Sequence, residues 1–444
     1  MIEEGGRRKV AVIGGGITGL TAALRLAEAG FEVTVLESGS EVGGLATSFQ
    51  IGGESLEKAY HHLFRTDVEI LRLIDELGIS ECLEWHEGSL AIYRDGRTWP
   101  FMTAFDLLRF RPSSLLGRIR LGLTALRIKH RTEWRDLAGV AALQWMRSRC
   151  GESATRTVWE PLLRGKFSSH AEKVSMAWLW ARLHIRSNSR DTGGGTEKLG
   201  YIRGGFAKLI AVLEGRLREG GVEILTSCRV TGIGTDGGGV RISYRGVSHV
   251  YDAAIFTGSN RVLANLIDKE TQAAGLFAES LKLIDYLGAI CLVFQTDQKL
   301  GDIYWVNVNE PGAPFLVLIR HTRLVPAQRY GGKEIYYLGA YVPQDGSRFK
   351  SGDVELVTEW FDYLQKMHPE FDRSRVEARH LFRFRDAQHV VDCDYAAKIP
   401  PYETPLKGLF LANFSQVFPE DRGTNFAVRE GGKIASLVQQ KFAR

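Results

Sequence analysis

The stretch Arg8–Phe49 reads RKVAVIGGGITGLTAALRLAEAGFEVTVLESGSEVGGLATSF and decides the fold class. Arg8–Ile13 has the apolar run of a buried strand, and Leu20–Ala29 has the spacing of a helix that ends at Gly30. Phe31–Glu37 predicts a second strand, which ends on an acid. Strand, glycine-rich turn, helix, strand and acid follow one another in the order of a dinucleotide-binding βαβ unit.

The glycine-rich turn has the spacing G-x-G-x-x-G, and each glycine has a separate physical role. Gly14 allows the tight turn, Gly16 lets the backbone approach a pyrophosphate, and Gly19 lets helix and strand pack closely. The helix begins within the turn, so the N–H groups of Ile17 and Thr18 face the phosphates at the positive end of the helix dipole. The turn therefore predicts a dinucleotide site.

A second glycine pair follows the acid at the end of the second strand. Glu37 is placed to accept hydrogen bonds from ribose hydroxyls, and Ser38 leads to Gly43 and Gly44. With this extension the sequence resembles the amine oxidase, protoporphyrinogen oxidase and phytoene desaturase superfamily, in which it marks FAD rather than NAD. The arginine that usually follows the glycine pair in that family is Leu45 here, which removes one phosphate contact.

The resemblance continues in two later segments. After a predicted strand, helix and strand from Tyr201 onwards, it implies that the backbone of Val230 contacts the adenine side of FAD. The strand Tyr251–Gly258, which contains Thr257, then closes the unit at the cofactor.

The end of the chain resembles the closing signature of the same family. A short strand at 408–413 and a helix at 427–442 enclose a polar loop. The resemblance implies that Asn413 lies near the phosphates and that Gly423, Thr424, Asn425 and Phe426 lie at the flavin. The loop and the helix contain no cysteine, so we expect FAD to be bound without a covalent link.

Length and composition limit the possible number of domains, the kinds of partner and the cellular location. A chain of 444 residues should form at least two domains, and a net charge of +5 does not indicate a nucleic-acid partner. The five cysteines are scattered without a C-x-x-C pair, which predicts reduced thiols and no metal site. We see no signal peptide and no apolar run of membrane-spanning length, and we expect a cytoplasmic protein.

The expected fold class is α/β, α+β overall, with a Rossmann-like FAD-binding domain and a substrate domain of antiparallel sheet and helices. Residues 1–85, 200–262 and 405–444 are assigned to the FAD-binding domain. Residues 86–199 and 263–404 are assigned to the substrate domain, because 103–190 has helical spacing and strand-like segments follow at 287–295, 303–308, 315–319 and 334–342. A helix is predicted at 353–367, and the glycine-rich segment 191–196 is a candidate boundary.

Candidate substrate residues come from unusual local clusters. His61 and His62 are predicted beside the flavin, with a turn and a core position as the alternative. A helix at 175–190 would align Arg182, Arg186 and Arg190 to bind a phosphate or carboxylate, or to pair with acids of another helix. The remaining candidates for substrate contact are Arg164, Lys166, Tyr304 and Arg320.

The segment 104–131 interleaves leucines with seven arginines and lysines. It predicts a solvated helix face, with peripheral contact with an anionic membrane or binding of an anionic substrate as the alternatives.

Three functions are compatible with the resemblance. The first is an FAD-dependent oxidoreductase that takes a hydride from a small organic substrate and passes electrons to an acceptor. The second is a mutase that rearranges a nucleotide sugar without net redox change, as UDP-galactopyranose mutase does. The third is a binding protein without FAD, like Rab GDP-dissociation inhibitors. No second complete G-x-G-x-x-G unit is present, so NAD(P)H as an electron source would have to bind without one. The oligomeric state is left open.

Overall fold

The computed structural model describes residues 7–188 and 197–443. Its centre is a five-stranded parallel sheet. The order of its strands across the sheet is Leu409–Leu411, Ala253–Phe256, Lys9–Ile13, Glu32–Leu36 and Glu223–Leu225. The strands are buried on both faces, as expected for a parallel sheet covered by helices. The α/β fold class predicted from the glycine-rich turn is confirmed.

Four helices flank this sheet and share one apolar core with it. They are the first helix Ile17–Glu28, then Val68–Glu76, Gly205–Glu219 and the C-terminal helix Thr424–Phe442. The C-terminal helix begins at Thr424, three residues before the predicted start at Ala427. Thr424 and Asn425 have low helix propensity and were assigned to the loop, but tertiary contacts of Asn425 hold the first turn.

Smaller sheets extend the same region. An antiparallel sheet contains Val230–Asp236, Gly239–Tyr244 and Val247–Tyr251. One two-stranded pair joins Ser48–Ile51 to Glu54–Glu57, and another joins Leu83–Glu87 to Lys198–Ile202. The helices Asn260–Leu266 and Gln272–Ser280 follow the strand that ends at Phe256.

The second large unit is a seven-stranded sheet that is antiparallel except for one pair. Its strands in order are Val376–His389, Tyr286–Thr296, Glu334–Pro343, Val317–Arg320, Trp305–Val308, Leu90–Arg94 and Arg97–Pro100. The helix Asp353–Met367 has the predicted bounds and packs its apolar side on this sheet. The long edge strand Val376–His389 was not predicted, because Leu381 interrupts the alternation of charged and less polar residues that marks a strand with one exposed face.

Residues 104–188 form a helical layer with its own apolar core. Its helices are Ala104–Arg109, Leu115–His130, Ala142–Cys150, Glu152–Ala154, Glu160–Phe167 and Met176–Asn188. A π-helical turn, Thr155–Trp159, connects two of them. Short helices at Ser347–Lys350 and Tyr395–Lys398 complete the chain. Arg190 and the predicted boundary 191–196 lie outside the described residues.

Candidate active site

The glycine-rich turn lies between the first strand and the first helix. Gly14 has φ +115°, which L side chains rarely adopt. A Cβ atom on Gly19 would lie 2.0 Å from the carbonyl oxygen of Gly14, so the helix can approach the turn only because that side chain is missing. Thr257 covers the turn from the neighbouring strand, and its Oγ1 donates to the carbonyl of Ile13 at 3.1 Å.

The first helix presents its N-terminus beside this turn. Gly16 is the N-cap, and no side chain of the described residues caps this end. The first amides of the helix, including those of Ile17 and Thr18, are therefore available to an anionic group at the positive end of the helix dipole.

The second glycine pair packs directly on the first. The N–H of Gly43 donates to the carbonyl of Gly15 at 2.7 Å, and a Cβ on Gly44 would lie 3.1 Å from the Cα of Gly16. Both Gly43 and Gly44 have positive φ, +126° and +58°. The two segments thus form one cradle of bare backbone, with the half-buried Leu45 at its end.

The carboxylate of Glu37 lies beside the cradle. Its two oxygens accept hydrogen bonds from the N–H of Gly15 at 2.7 Å and of Gly39 at 2.6 Å, and the Ser38 hydroxyl lies 3.3 Å away. The Cys228 N–H donates to the carbonyl of Glu37, which brings the segment leading to Val230 alongside. Each carboxylate oxygen has a second lone pair, so ribose hydroxyls can still donate to it.

The far side of the cradle is closed by the C-terminal helix. A Cβ on Gly431 would lie 2.6 Å from the carbonyl oxygen of Thr18, so this helix and the first helix touch through backbone atoms. Gly423 is the N-cap of the C-terminal helix, and no side chain among the described residues caps it. Asn425 instead uses its Oδ1 to accept from the N–H groups of Glu69 and Ile70, which start the helix Val68–Glu76.

Asn413 ties the last sheet strand to the loop after Phe256. Its Nδ2 donates to the carbonyl of Gly258 at 2.7 Å and to the Oδ1 of Asn260 at 2.8 Å, and its own Oδ1 accepts from Ser415. Both donors of this side chain are used within the protein, and its predicted contact with phosphates stays a prediction.

The cradle, the two uncapped helix N-termini and Glu37 together fit FAD. The donors are backbone amides that suit a pyrophosphate, and the acceptor is a carboxylate that suits a ribose. Side chains at Gly19 or Gly44 would fill the space that the chain leaves for close approach.

A cavity of about 220 Å³ lies where the C-terminal helix begins. It brings together many of the residues predicted from separate parts of the sequence: His61, His62, Lys166, Arg182 and Gly423–Phe426. Aromatic side chains form much of its remaining wall, among them Tyr60, Phe64, Trp305 and Tyr341. Its charged lining residues are Asp67, Lys166, Arg182, Arg186, Asp421 and Arg422.

One buried carboxylate organises the charges of this cavity. The Oδ2 of Asp421 lies 2.8 Å from the Nζ of Lys166 and 2.8 Å from the Nη1 of Arg182. The side chains of Lys166 and Asp421 are only 7% and 15% exposed. Burial opposes ionisation of Asp421, but the attraction of Lys166 and Arg182 outweighs it and holds the pKa of Asp421 below its ordinary value. Burial lowers the pKa of Lys166, and Asp421 offsets part of that effect.

Arg422 adds a further positive charge next to this cluster. Its Nη2 donates to the Tyr341 hydroxyl at 3.0 Å, and no acid of the described residues forms an ion pair with it. The Nζ of Lys166 lies 5.2 Å from the centre of the Tyr341 ring. Burial raises the pKa of Tyr341, but the charges of Arg422 and Lys166 outweigh this and lower it overall.

The two adjacent histidines both line the cavity as neutral rings. The Nδ1 of His61 donates to the carbonyl of Ala59 at 2.7 Å, which leaves the Nε2 of the neutral ring as an acceptor. Burial lowers the pKa of His61 to about 4 and that of His62 to about 3. The Nδ1 of His62 lies 3.0 Å from the Tyr304 hydroxyl. Tyr304 is thus a buried support behind His62 and does not line the cavity.

Two predicted substrate residues lie elsewhere in the structure. Arg164 is half-exposed and pairs with Glu160 and Glu172, each at 2.9 Å. Arg320 is buried, and its guanidinium forms a two-point ion pair with Glu334 at 2.8 and 2.9 Å. Both guanidinium groups are paired within the protein, and neither is among the residues that line this cavity.

Several cavity residues were not among the predicted site residues, including Tyr60, Tyr341, Asp421 and Arg422. Asp421 and Arg422 directly precede the predicted flavin segment at Gly423, so their position was a usable signal. Tyr60 directly precedes His61 in the sequence, so it also lay within reach of the prediction. Tyr341 follows seven buried residues of its strand, so its sequence neighbourhood resembles that of a core residue.

Two features are missing from residues 7–188 and 197–443. No group of three or more His, Cys, Asp or Glu side chains there could hold a metal ion. No helix within those bounds combines the length and the apolar character needed to cross a membrane.

Comparison with known proteins places the chain in a family. A family model described as flavin-containing amine oxidoreductase matches residues 17–415. Coproporphyrinogen III oxidase of Propionibacterium freudenreichii subsp. freudenreichii is 26% identical over 326 residues, which is 59% of this chain and 59% of that protein. The aligned region thus spans about three-fifths of the length of that relative.

Two solved structures share the fold over nearly their whole length. Cyclohexylamine oxidase from Brevibacterium oxydans IH-35A has a TM-score of 0.73 at 14% identity, covering 99% of this chain and 100% of that one. A reduced UDP-galactopyranose mutase has a TM-score of 0.77 at 16% identity, covering 98% of this chain and 96% of that one. At such identities these likenesses establish the fold alone. The family model covers most of the chain, and the chain therefore belongs to the flavin-containing amine oxidoreductase family.

Proposed function

We propose that this enzyme removes a hydride from a small organic substrate that carries an anionic group, with FAD bound non-covalently. The observation that carries the proposal is the charge of the cavity. Lys166 and Arg182 contact the carboxylate of Asp421, and Arg422 lies next to this cluster. With Arg186 and Asp67 included, the cavity lining has four basic and two acidic side chains, which is an excess of positive charge.

A buried excess of charge is costly unless it is neutralised. A carboxylate or phosphate of the substrate would supply the missing negative charge. Arg422 suits this role because its guanidinium has donors beyond the one that reaches Tyr341, and a planar fork can hold two oxygens of one anion.

FAD supplies the hydride acceptor when it is bound. The residues of the protein would exclude water from the reaction and stabilise the charge that develops. The aromatic wall of Tyr60, Trp305 and Tyr341 keeps water from the reacting carbon, and the uncapped N-terminus at Gly423 stabilises negative charge next to the cavity.

His61 is suited to accept a proton from the substrate. Its ring is neutral at pH 7, and its Nδ1 is fixed by Ala59, so the Nε2 is the basic atom. An amine or hydroxyl that donates to this atom would lose its proton as the hydride leaves the adjacent carbon.

A nucleotide-sugar mutase remains the second candidate, because the same cationic cluster suits a diphosphate. The two functions differ in whether the substrate itself changes the oxidation state of the flavin.

Anaerobic titration of the purified yellow enzyme distinguishes them. The panel would contain amines, porphyrinogens, polyprenoids and nucleotide sugars, each carboxylated or phosphorylated compound paired with its neutral ester or alcohol. The proposal predicts that one anionic compound bleaches the flavin absorbance and that its neutral analogue does so only at much higher concentration.

Two other outcomes would change the assignment. Isomerisation of a nucleotide sugar only by pre-reduced enzyme, without bleaching, would favour the mutase. Equal bleaching by an anionic compound and its neutral analogue would remove the anionic group from the proposal. NAD(P)H belongs in the same titration, since bleaching by it would identify a nicotinamide as the source of electrons.

A further inference from the structure

We propose that the outward side of the helix Leu115–His130 docks on a membrane surface that contains anionic lipids. We call this side the docking face, and it consists of Leu115, Leu116, Ile119, Leu123 and Leu126. These side chains are 46–59% exposed in the folded protein. The spacing of the five residues puts them along one side of the helix.

The same helix already has an inward apolar side. Gly117, Leu121, Thr124 and Ile128 are buried, and Leu121 and Ile128 join the core that contains much of the helix Met176–Asn188. A helix that only covers a core is apolar on one side and polar on the other. Here the side opposite the core is apolar as well, so the core does not account for it.

The docking face is part of a concentrated patch. Fourteen large apolar side chains are exposed in the described part of the chain, and seven of them lie between residues 105 and 126. The two that precede the docking face are Phe105 and Leu108, on the helix Ala104–Arg109. Single exposed apolar residues are common on protein surfaces, but a contiguous group marks an interaction surface.

Positive charges flank the docking face on both sides. By helical spacing, Arg118 and Lys129 lie along one border, and Arg120 and Arg127 lie along the other. Arg120, Arg127 and Lys129 form no ion pair with any acid of the described residues. Long basic side chains next to an apolar stripe can lie along it while their charged ends reach lipid headgroups.

Negative charge is nearly missing from the segment 104–131. Asp106 is the single acid between residues 104 and 131. Its carboxylate accepts hydrogen bonds from the N–H groups of Met102 and Thr103, where it caps a helix. The combination of apolar centre, basic borders and no free acid matches an anionic bilayer.

A second copy of the chain fits this surface less well. Pairing two docking faces would bring the arginines that border one face against the arginines that border the other. Like charges in contact oppose association, whereas anionic headgroups attract the same side chains.

Sedimentation with lipid vesicles tests the proposal on the full-length flavoprotein. Vesicles of phosphatidylcholine alone are compared with vesicles that also contain phosphatidylglycerol, at low and at high salt. We expect sedimentation with the anionic vesicles only, and weaker binding at high salt.

Three sets of substitutions separate the contributions of apolar contact and of positive charge to vesicle binding. The triple change Ile119→Ser, Leu123→Ser and Leu126→Ser should lower binding about tenfold or more, since it removes apolar contact. The change of Arg120 and Arg127 to glutamine should lower it about fivefold per cation at low salt. As a matched control, Leu276→Ser with Leu283→Ser alters side chains that are 66% and 57% exposed elsewhere, and binding should not change.

Several results would overturn the proposal. These are equal binding to neutral and anionic vesicles, no binding to either, or an equal loss in the Leu276 and Leu283 control. A dimer in light scattering that the triple change dissolves, without vesicle binding, would assign the face to self-association. Unchanged circular dichroism and flavin absorbance of the variants would show that they are folded.

Discussion

Replacing Gly431 by alanine should force the C-terminal helix away from the first helix. A Cβ at this position lies 2.6 Å from the carbonyl oxygen of Thr18 and 2.8 Å from the Cβ of Thr21, and neither atom is the end of a flexible side chain. Both helices bring their N-termini to the proposed FAD site. The substitution should therefore weaken both folding and FAD retention.

The adjacent residue offers a matched control. A Cβ on Gly432 meets no atom within 4 Å. Both substitutions lie in the same helix and gain the same helix propensity, about 1 kcal/mol. Overpacking costs about 1–3 kcal/mol and applies to Gly431 alone, so the two variants should differ by that amount.

Urea unfolding measures this difference, and the rise of flavin fluorescence on heating measures the release of FAD. Gly432→Ala should unfold at the same or a higher urea concentration than the wild type and keep its FAD. Gly431→Ala should unfold earlier and release FAD at a lower temperature. Equal behaviour of the two variants would refute the close helix contact.

Three further predictions test the cavity and a buried acid. Asp421→Asn leaves Lys166 without its counter-charge and should lower the free energy of unfolding by about 3 kcal/mol in urea; an unchanged midpoint would argue against the buried ion pair. Removing the ring of His61 should slow stopped-flow flavin reduction by about 100-fold or more without comparable loss of FAD affinity, and unchanged reduction would take His61 out of the site. Burial raises the pKa of Glu57 to about 7 from 4.5. The folded state then binds its proton more tightly than the unfolded state, so stability should fall by roughly 3 kcal/mol as pH rises from 4.5 to 7. Glu57→Gln should flatten this slope in urea unfolding at each pH, and an identical slope would contradict the assignment.

The sequence predicted those parts of the fold that local spacing determines. The unit from Arg8 to Phe49 follows from a glycine pattern and two apolar strands, and its elements formed as expected. The helix Asp353–Met367 was found because its apolar residues recur at helical spacing. The edge strand Val376–His389 was missed because Leu381 stands at a position where the alternation requires a polar residue, which obscures the pattern of a half-exposed strand.

The locations and ion-pair partners of individual charged residues could not be predicted from local sequence patterns. Arg182 and Arg320 are the same residue type, yet Arg182 lines the cavity while Arg320 is held by Glu334. The partner of Lys166 is Asp421, which lies 255 residues further along the chain. Tertiary packing determines such ion pairs. The sequence therefore indicated candidate site residues but not which of them would lie together in the cavity.

The most direct test of an anion-binding cavity compares Arg422→Gln with Arg164→Gln. The assay is anaerobic stopped-flow reduction of the flavin by the anionic compound that bleaches the wild-type enzyme. Loss of a charged hydrogen bond of about 1.5–3 kcal/mol should raise the apparent Kd of reduction about 10- to 150-fold in Arg422→Gln. Arg164 lies on the surface in pairs with Glu160 and Glu172, so Arg164→Gln should behave as the wild type. An unchanged Kd in Arg422→Gln, or an equal rise in both variants, would contradict the account.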